Sequence, residues 1–304
     1  MFLKKVAVFL ALAFLALDLM LAVLYFQTRN NMFVLPERMI DDAAAYLAAN
    51  DIKLSRSVIE KRIPDNAVYT FAAENTAVSS EVAAAIAASY FTSEATASML
   101  ETPDGMTFSI QADGVSAAAL RVYYGSFRFE YSEADFVRES EVPLSETAFD
   151  NGEKVLSAET ERAVQRFLKL LVSPSAGSAL YTVRGSVASG DGIYVCVSQN
   201  VGGAFEINDM FTNLLVRDGR VVYACGNRIF SAVRKSYREQ LTDGVNALRS
   251  LNLDAVSEIL SEEIVYTERS TGNGTHYLIP LWKIVYIDTS SARITQYVDA
   301  IKRT

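Results

Sequence analysis

One long apolar segment near the start of the chain constrains its fold more than any other feature. Val6–Phe26 contains a single charged residue, Asp18. As a helix, about 21 residues extend roughly 31 Å, which matches the hydrocarbon thickness of a bilayer. The apolar side chains contribute on the order of −6 kcal/mol to insertion, against a cost of about 2.5–3.5 kcal/mol for an aspartate near the centre. The sequence therefore predicts one transmembrane helix.

The flanks of this segment predict an uncleaved anchor and its orientation. A cleaved signal peptide is the alternative, but the apolar run is longer than a signal core, and it continues into Tyr25-Phe26-Gln27 without a small-x-small cleavage site. Lys4 and Lys5 precede the segment, whereas only Arg29 follows it closely. The positive-inside rule then places the N-terminus in the cytoplasm and the residues from about 30 onward outside the cell membrane.

Composition allows a large folded region beyond the anchor. The chain has 304 residues, half of them hydrophobic, which suffices for one large domain or two ordinary ones. A net charge of −8 argues against nucleic acid as a partner. Cys196 and Cys225 either form a disulfide outside the membrane or are two small buried apolar side chains.

Hydrophobic periodicity predicts a helix followed by antiparallel strands on both sides of a polar segment, Glu139–Lys154. In the first half, Pro36–Asn50 has helical spacing, and alternating residues flank Gly125-Ser126, which suggests a hairpin. In the second half, Ala158–Val172 is a patterned helix, and Asp218-Gly219 favours a type I′ turn. Further helices are predicted at Ser79–Phe91, Tyr237–Leu251 and Ala255–Leu260, and Trp282 is predicted to lie in the core of the final sheet.

This order of elements predicts an α+β fold with one N-terminal transmembrane helix followed by two similar helix-plus-antiparallel-sheet modules. The predicted domains are a cytoplasmic start and anchor at 1–28, a first extracytoplasmic module at 30–150 and a second at 151–304.

The sequence offers no recognisable catalytic or metal-binding motif. Its single histidine, His276, is more typical of a surface residue than of a catalyst. Asp41-Asp42 and Glu262-Glu263 are adjacent pairs whose side chains point in different directions, so they are interpreted as solvated surface. We therefore expect no catalytic residue, no metal ligand and no cofactor, and a protein that is not an enzyme.

Asp18 has two interpretations. It is either a tolerated carboxyl that draws water into the membrane, or the centre of a contact with another helix. Helical geometry favours an interaction face in which small residues permit close approach of a partner helix. That predicted face consists of Ala7, Ala11, Asp18, Ala22 and Tyr25.

Three pieces of the chain resemble the YycH/YycI group of membrane-anchored regulators of Gram-positive bacteria, and within it the YycI branch. They are Phe14–Phe26, Pro36–Leu54, and Tyr277–Asp288 with Ile294–Ile301, the last also similar to the closing strands of PepSY-type modules. Relatives usually carry an amide in the middle of the span, and Asp18 departs from that pattern.

The resemblance implies an accessory regulator without cofactor. Its partners would be a sensor histidine kinase of the WalK/YycG type and a YycH-like companion protein, contacted through the membrane helix and the external domains to adjust cell-wall metabolism. The alternative is an extracytoplasmic PepSY-like binding or inhibitor module for a peptide, a protease or a cell-wall component. A wall-active enzyme with unrecognised catalytic residues is a third possibility.

Overall fold

The computed structural model describes residues 14, 17–21, 34–63, 68–72, 76–136, 149, 152–172, 180–202, 205–270 and 274–302. Within these residues the helices are α1 (Glu37–Ala48), α2 (Thr76–Ile86), α3 (Ala158–Leu170) and α4 (Gly244–Arg249). A π-helical turn, Ala87–Phe91, follows α2, and Arg56–Val58 and Leu253–Ala255 form 3-10 turns. The strands are β1 (Lys53–Leu54), β2 (Tyr69–Ala72), β3 (Thr96–Thr102), β4 (Gly105–Ala112), β5 (Val115–Tyr123), β6 (Arg128–Glu133), β7 (Tyr181–Ser189), β8 (Gly192–Val201), β9 (Phe205–Arg217), β10 (Arg220–Asn227), β11 (Arg234–Lys235), β12 (Val256–Ser270), β13 (Thr275–Asp288) and β14 (Arg293–Asp299).

The predicted fold class is wrong, because these strands belong to a large mixed sheet and not to two similar modules. Strand β10, from the second half of the sequence, pairs antiparallel with β6 from the first half. Strand β12 pairs in parallel with β1 and makes a parallel bridge to β9. Hydrophobic periodicity identifies a strand but does not specify which other strand it pairs with. Similar local patterns in the two halves therefore suggested two similar modules, although the observed strand pairing joins the halves.

The transmembrane part of the predicted fold is also not found. No helix in the described ranges is both long enough and apolar enough to cross a membrane. Of the segment Val6–Phe26, only Phe14 and residues 17–21 are described, and they are helical and exposed. The predicted domain boundaries, between 28 and 30 and between 150 and 151, fall outside the described residues.

The chain forms two compact units. The first unit comprises Met1–Asp65, Gln240–Ile264 and Trp282–Thr304. In it, α1 buries an apolar stripe formed by Ile40, Ala43 and Leu47, as its helical spacing predicts. Trp282 is fully buried, as predicted, and its indole N–H donates to the carbonyl of Thr242 at 2.9 Å.

The second unit comprises Asn66–Glu239 and Val265–Leu281. Its antiparallel strands follow the order β3-β4-β5-β6-β10-β9-β8-β7. Helices α2 and α3 cover one face, where Val195 and Val197 of β8 join the main core. The alternate residues of β8, Tyr194 and Cys196, join a smaller core with Phe149 on the other face. A strand that is covered on both faces needs apolar residues at nearly every position, and β8 has such a sequence.

Several local predictions are confirmed and two are wrong. The buried stripe of α3 and the Asp218-Gly219 turn are observed, the turn with φ of 51° and 69°. The helix predicted from Tyr237 to Leu251 is present only as Gly244–Arg249. Residues 240–242 instead pair with residues 300–302, just after β14, where the Thr242 N–H donates to the carbonyl of Ala300. The predicted helix at Ala255–Leu260 is the start of β12.

Candidate functional site

The predicted membrane interaction face remains a prediction. Asp18 is described and is exposed. Ala7, Ala11, Ala22 and Tyr25 lie outside the described residues.

The second unit presents an open strand edge at β3. Among the described strands, β3 pairs with β4 alone, through a register that runs without interruption from Thr96↔Gln111 to Thr102↔Gly105. One edge of its backbone therefore has N–H and C=O groups available to a further strand. The sequence TASMLET contains no proline and no lysine, which are the usual residues that block edge pairing.

The opposite end of this sheet is better protected. Strand β7 has a register shift between Val183 and Gly185, and a bulge bends a strand away from straight pairing. Arg184 lies at that bulge, where its guanidinium contacts Glu206 at 2.5 Å. Of these two edges, only β3 has an uninterrupted register, so it is the better acceptor for strand addition.

The side chains of β3 add apolar area to this edge. Leu100 is 66% exposed and Met99 is 45% exposed. Tyr124 flanks them and donates to Glu101 at 2.5 Å. Because neighbouring residues of a strand point to opposite faces, an added strand would contact both side chains. The arrangement fits recognition of an extended peptide segment, in which backbone bonds give affinity and side-chain contacts give specificity.

A second site, in the first unit, is a cavity of about 470 Å³ beside β12. It is lined by Val34, Ser57, Val58, Ile59, Glu60, Lys61, Arg62 and Glu262. The segment 57–62 is held in place by Leu35, whose N–H donates to the carbonyl of Lys61 at 2.9 Å. Glu262 is 4% exposed, and its Oε2 accepts from the Glu60 N–H at 3.3 Å. Its Oε1 has no hydrogen-bond partner within the described part of the chain.

Burial controls the protonation of this carboxyl. Burial is the largest cause that raises the pKa of Glu262 from 4.5 to about 8; the charges of Glu60 and Asp243 contribute in the same direction, and the hydrogen bond from the Glu60 N–H opposes it. Helix α4 begins directly against the group, because a Cβ on Gly244 would lie 2.8 Å from both carboxyl oxygens. Glu262 is therefore a neutral, proton-bearing acid at neutral pH.

The interpretation of Glu262-Glu263 as solvated surface is wrong for the first residue of the pair. Glu263 is half-exposed and contacts Lys283 at 3.2 Å, whereas Glu262 is buried on the same side of β12 as Ile264 and Tyr266. One feature of the sequence indicates that Glu262 is buried: in a strand, residues two and four positions away lie on the same face, and at those positions Glu262 has the apolar Ile264 and Tyr266. Asp41 and Asp42 are not fully buried, and Asp41 contacts Arg56 at 3.0 Å.

Arg228 is a second buried ionisable group that sequence reasoning missed. It follows β10 in the second unit and is 1% exposed. None of its three guanidinium nitrogens has a hydrogen-bond partner in the described residues. Burial lowers the pKa of Arg228 from 12.5 to about 10. An unpaired cation in this position costs stability and marks a place where an anion would be favoured.

The histidine and cysteine predictions have mixed outcomes. The His276 side chain is only 15% exposed, not at the surface as expected, and its ring stacks on Phe71 with 5.3 Å between ring centroids. Cys196 and Cys225 do not form a disulfide with each other. Cys196 and Cys225 pair with opposite sides of Asn213, so two strand spacings of about 4.8 Å separate them. That distance is too long for a disulfide. The alternative prediction, two small buried side chains, is confirmed for Cys196, whereas Cys225 is only partly buried.

Comparison with known proteins gives weak structural likenesses. No family model matches the chain, and no curated protein matches it. An uncharacterized protein from Eubacterium rectale ATCC 33656 is similar with a TM-score of 0.43 and 10% identity, over 81% of this chain and 84% of that one. The Bacillus megaterium YpeB C-terminal domain is similar with a TM-score of 0.37 and 10% identity, over 76% of this chain and 100% of that one. Membership of the YycH/YycI group stays a prediction.

Proposed function

We propose that the chain is an accessory regulator of a sensor histidine kinase of the WalK/YycG type, acting by protein–protein contact and without catalysis or cofactor. The kinase and the YycH-like companion are proposed as partners from the sequence resemblance of Phe14–Phe26, Pro36–Leu54 and the C-terminal strands. The location in the cell membrane, with the N-terminus in the cytoplasm, stays a prediction from residues 4–29.

The observation that supports contact with another protein is the open edge of β3. Seven residues in unbroken register, with Met99 and Leu100 exposed, provide a straight acceptor for an added strand. We propose that an extended segment of the partner's external region adds to this edge.

A charge substitution tests the contact. Leu100→Lys places a lysine on the edge strand, where it opposes strand addition. Val115→Lys is the matched control, because Val115 is 65% exposed, against 66% for Leu100, but lies at the start of β5, which β4 separates from β3. Each full-length form is crosslinked in cells, recovered, and probed for a histidine kinase and a second membrane regulator.

Recovery of the kinase with the native chain and Val115→Lys, and its loss with Leu100→Lys, is the expected result. Equal recovery by all three forms would reject the β3 contact. Recovery of no kinase by any form would reject the regulator function. An Asp18→Leu form in the same experiment reports separately on the predicted membrane face.

A binding or inhibitor module is the second candidate function, and the cavity at Glu262 favours it. A concave site with one buried polar group is typical of ligand recognition. Exchanging residues 6–26 for an unrelated apolar segment of equal length separates the two functions. A regulator that uses its membrane segment loses activity, whereas a module that works through its folded units retains it.

A further inference from the structure

We propose that the cavity beside β12 binds a primary ammonium group carried on an aliphatic chain, with Glu262 as its counter-ion. This inference concerns the first unit and goes beyond the proposed regulation through β3.

The first support is a buried carboxyl oxygen in the cavity that has no hydrogen-bond partner among the described residues. Glu262 lines the cavity and is 4% exposed, and its Oε1 finds no partner in the described part of the chain. A buried polar atom without a partner costs stability, and a ligand that donates to it recovers that cost. An ammonium group carries three N–H donors and no acceptor, so it can donate to this oxygen once Glu262 has lost its proton.

The second support is the sign of the surrounding charge. Glu60 and Asp243 are the ionised groups that act on Glu262, and both are negative. Two cations also line the cavity, but each faces a carboxylate. Lys61 Nζ contacts Glu37 at 2.7 Å, and the Arg62 guanidinium lies 3.7 Å from Glu60. The positive charge at the rim is thereby matched, and the field at Glu262 attracts a cation.

The third support is the apolar wall. Val34, Val58 and Ile59 line the cavity together with the polar residues. Methylene groups of a ligand are stabilised when they are buried against such side chains. The combination fits an ammonium on an unbranched chain, as in a lysine side chain of a polypeptide or in a free polyamine.

Binding is coupled to one proton. At neutral pH Glu262 holds its proton, and pairing with an ammonium requires the carboxylate. The O–H bond of Glu262 breaks, the proton passes to buffer, and the carboxylate accepts from the ammonium, which keeps all of its own protons. Affinity therefore rises with pH, by about tenfold between pH 7 and pH 9 for a group with a pKa near 8.

Titration calorimetry of the purified full-length protein tests this. The probes are n-butylammonium, Nα-acetyl-lysine amide and spermidine, each titrated at pH 7 in phosphate and in HEPES, and at pH 9 in borate. We expect saturable binding with release of close to one proton at pH 7 and little release at pH 9. The lysine derivative and spermidine distinguish a polypeptide side chain from a polyamine as the source of the ammonium.

Three variants make the result specific. Glu262→Gln keeps an acceptor for the Glu60 N–H but has no charge, so both binding and proton release are lost. Glu263→Gln changes the neighbouring half-exposed carboxylate and leaves both unchanged. Glu60→Gln keeps its backbone contact to Glu262, so it is a second variant that weakens affinity without removing the counter-ion.

Several results would overturn the proposal. They are an absence of saturable binding by any probe, binding without proton release at pH 7, and equal affinity in Glu262→Gln. Equal binding of tetramethylammonium, which has no N–H donor, would also reject it. None of these outcomes depends on a kinase, so this test and that of the proposed function fail independently.

Discussion

Substitution of Glu262 by glutamine should make the protein less sensitive to alkaline pH. In the folded protein burial raises the pKa of this carboxyl from 4.5 to about 8. Glutamine is close in shape, can accept the same hydrogen bond from the Glu60 N–H, and does not ionise. The variant therefore removes the titration and keeps most of the packing.

The sign and size follow from linkage. Below pH 4.5 Glu262 is protonated in both the folded and the unfolded chain, so its ionisation does not change the free energy of unfolding. As pH rises from 4.5 to 8 the unfolded carboxyl ionises while the folded one stays neutral, and the free energy of unfolding falls. At about 1.4 kcal/mol per pKa unit, a shift from 4.5 to about 8 amounts to about 5 kcal/mol. Above pH 8 the loss is complete.

Urea denaturation between pH 4 and pH 9 measures this difference. Trp282 is the only tryptophan of the chain and is buried in the same unit as Glu262, so its fluorescence reports unfolding of that unit. We expect the free energy of unfolding of Glu262→Gln, relative to the native chain, to rise by about 5 kcal/mol from pH 4 to pH 9. Other titrating groups cancel because both proteins contain them.

Glu263→Gln is the control and should show no such rise, since Glu263 is half-exposed and contacts Lys283. A difference between Glu262→Gln and the native chain that stays flat within about 0.5 kcal/mol over this range would refute the reasoning, because a group with an ordinary pKa produces no pH-dependent difference. It would mean that Glu262 ionises normally in the folded protein.

Three further substitutions test the second unit by urea denaturation. Tyr90→Phe should lower the free energy of unfolding by about 2 kcal/mol, because the Tyr90 hydroxyl both accepts from the Val221 N–H and donates to its carbonyl; no change would mean that water replaces it. Arg228→Met should raise it by about 3 kcal/mol, since the fully buried guanidinium has its pKa lowered to about 10; a decrease would reveal an anionic partner. Gly226→Ala should lower it by at least about 2 kcal/mol, because φ is +147° and a Cβ would clash with the Phe211 carbonyl oxygen; an unchanged free energy of unfolding would disprove that close approach.

Local interactions explain the parts of the fold that the sequence predicted. The buried stripes of α1 and α3 follow from residues three and four apart. The start of α3 follows from Ser157, whose Oγ accepts from the Thr160 N–H at 3.2 Å. The hairpin between β9 and β10 follows from Asp218-Gly219, since both residues adopt positive φ. In each case the decisive contacts lie within a few residues.

The candidate sites were predicted less well, because burial depends on what packs against a residue. Glu262 and Glu263 are adjacent and chemically identical, yet one is 4% exposed and the other half-exposed. The difference follows from Glu60 and Gly244, which are distant in sequence and lie directly against Glu262. The edge of β3 is likewise open because no described strand lies beside it. The residues TASMLET do not by themselves predict whether such a neighbour is present.

The sequence by itself determined the helices and hairpins whose contacts are local, and it supports the resemblance on which the proposed kinase partnership rests. The tertiary structure alone decided that strands of both halves share a mixed sheet and that Glu262 and Arg228 are buried. Within the described residues, β3 ends that sheet and neither side chain has a full set of hydrogen-bond partners. The physical reason is that backbone hydrogen bonds between strands can form at any separation along the chain. Which edges meet, and which charges they enclose, is then decided by packing of the whole chain.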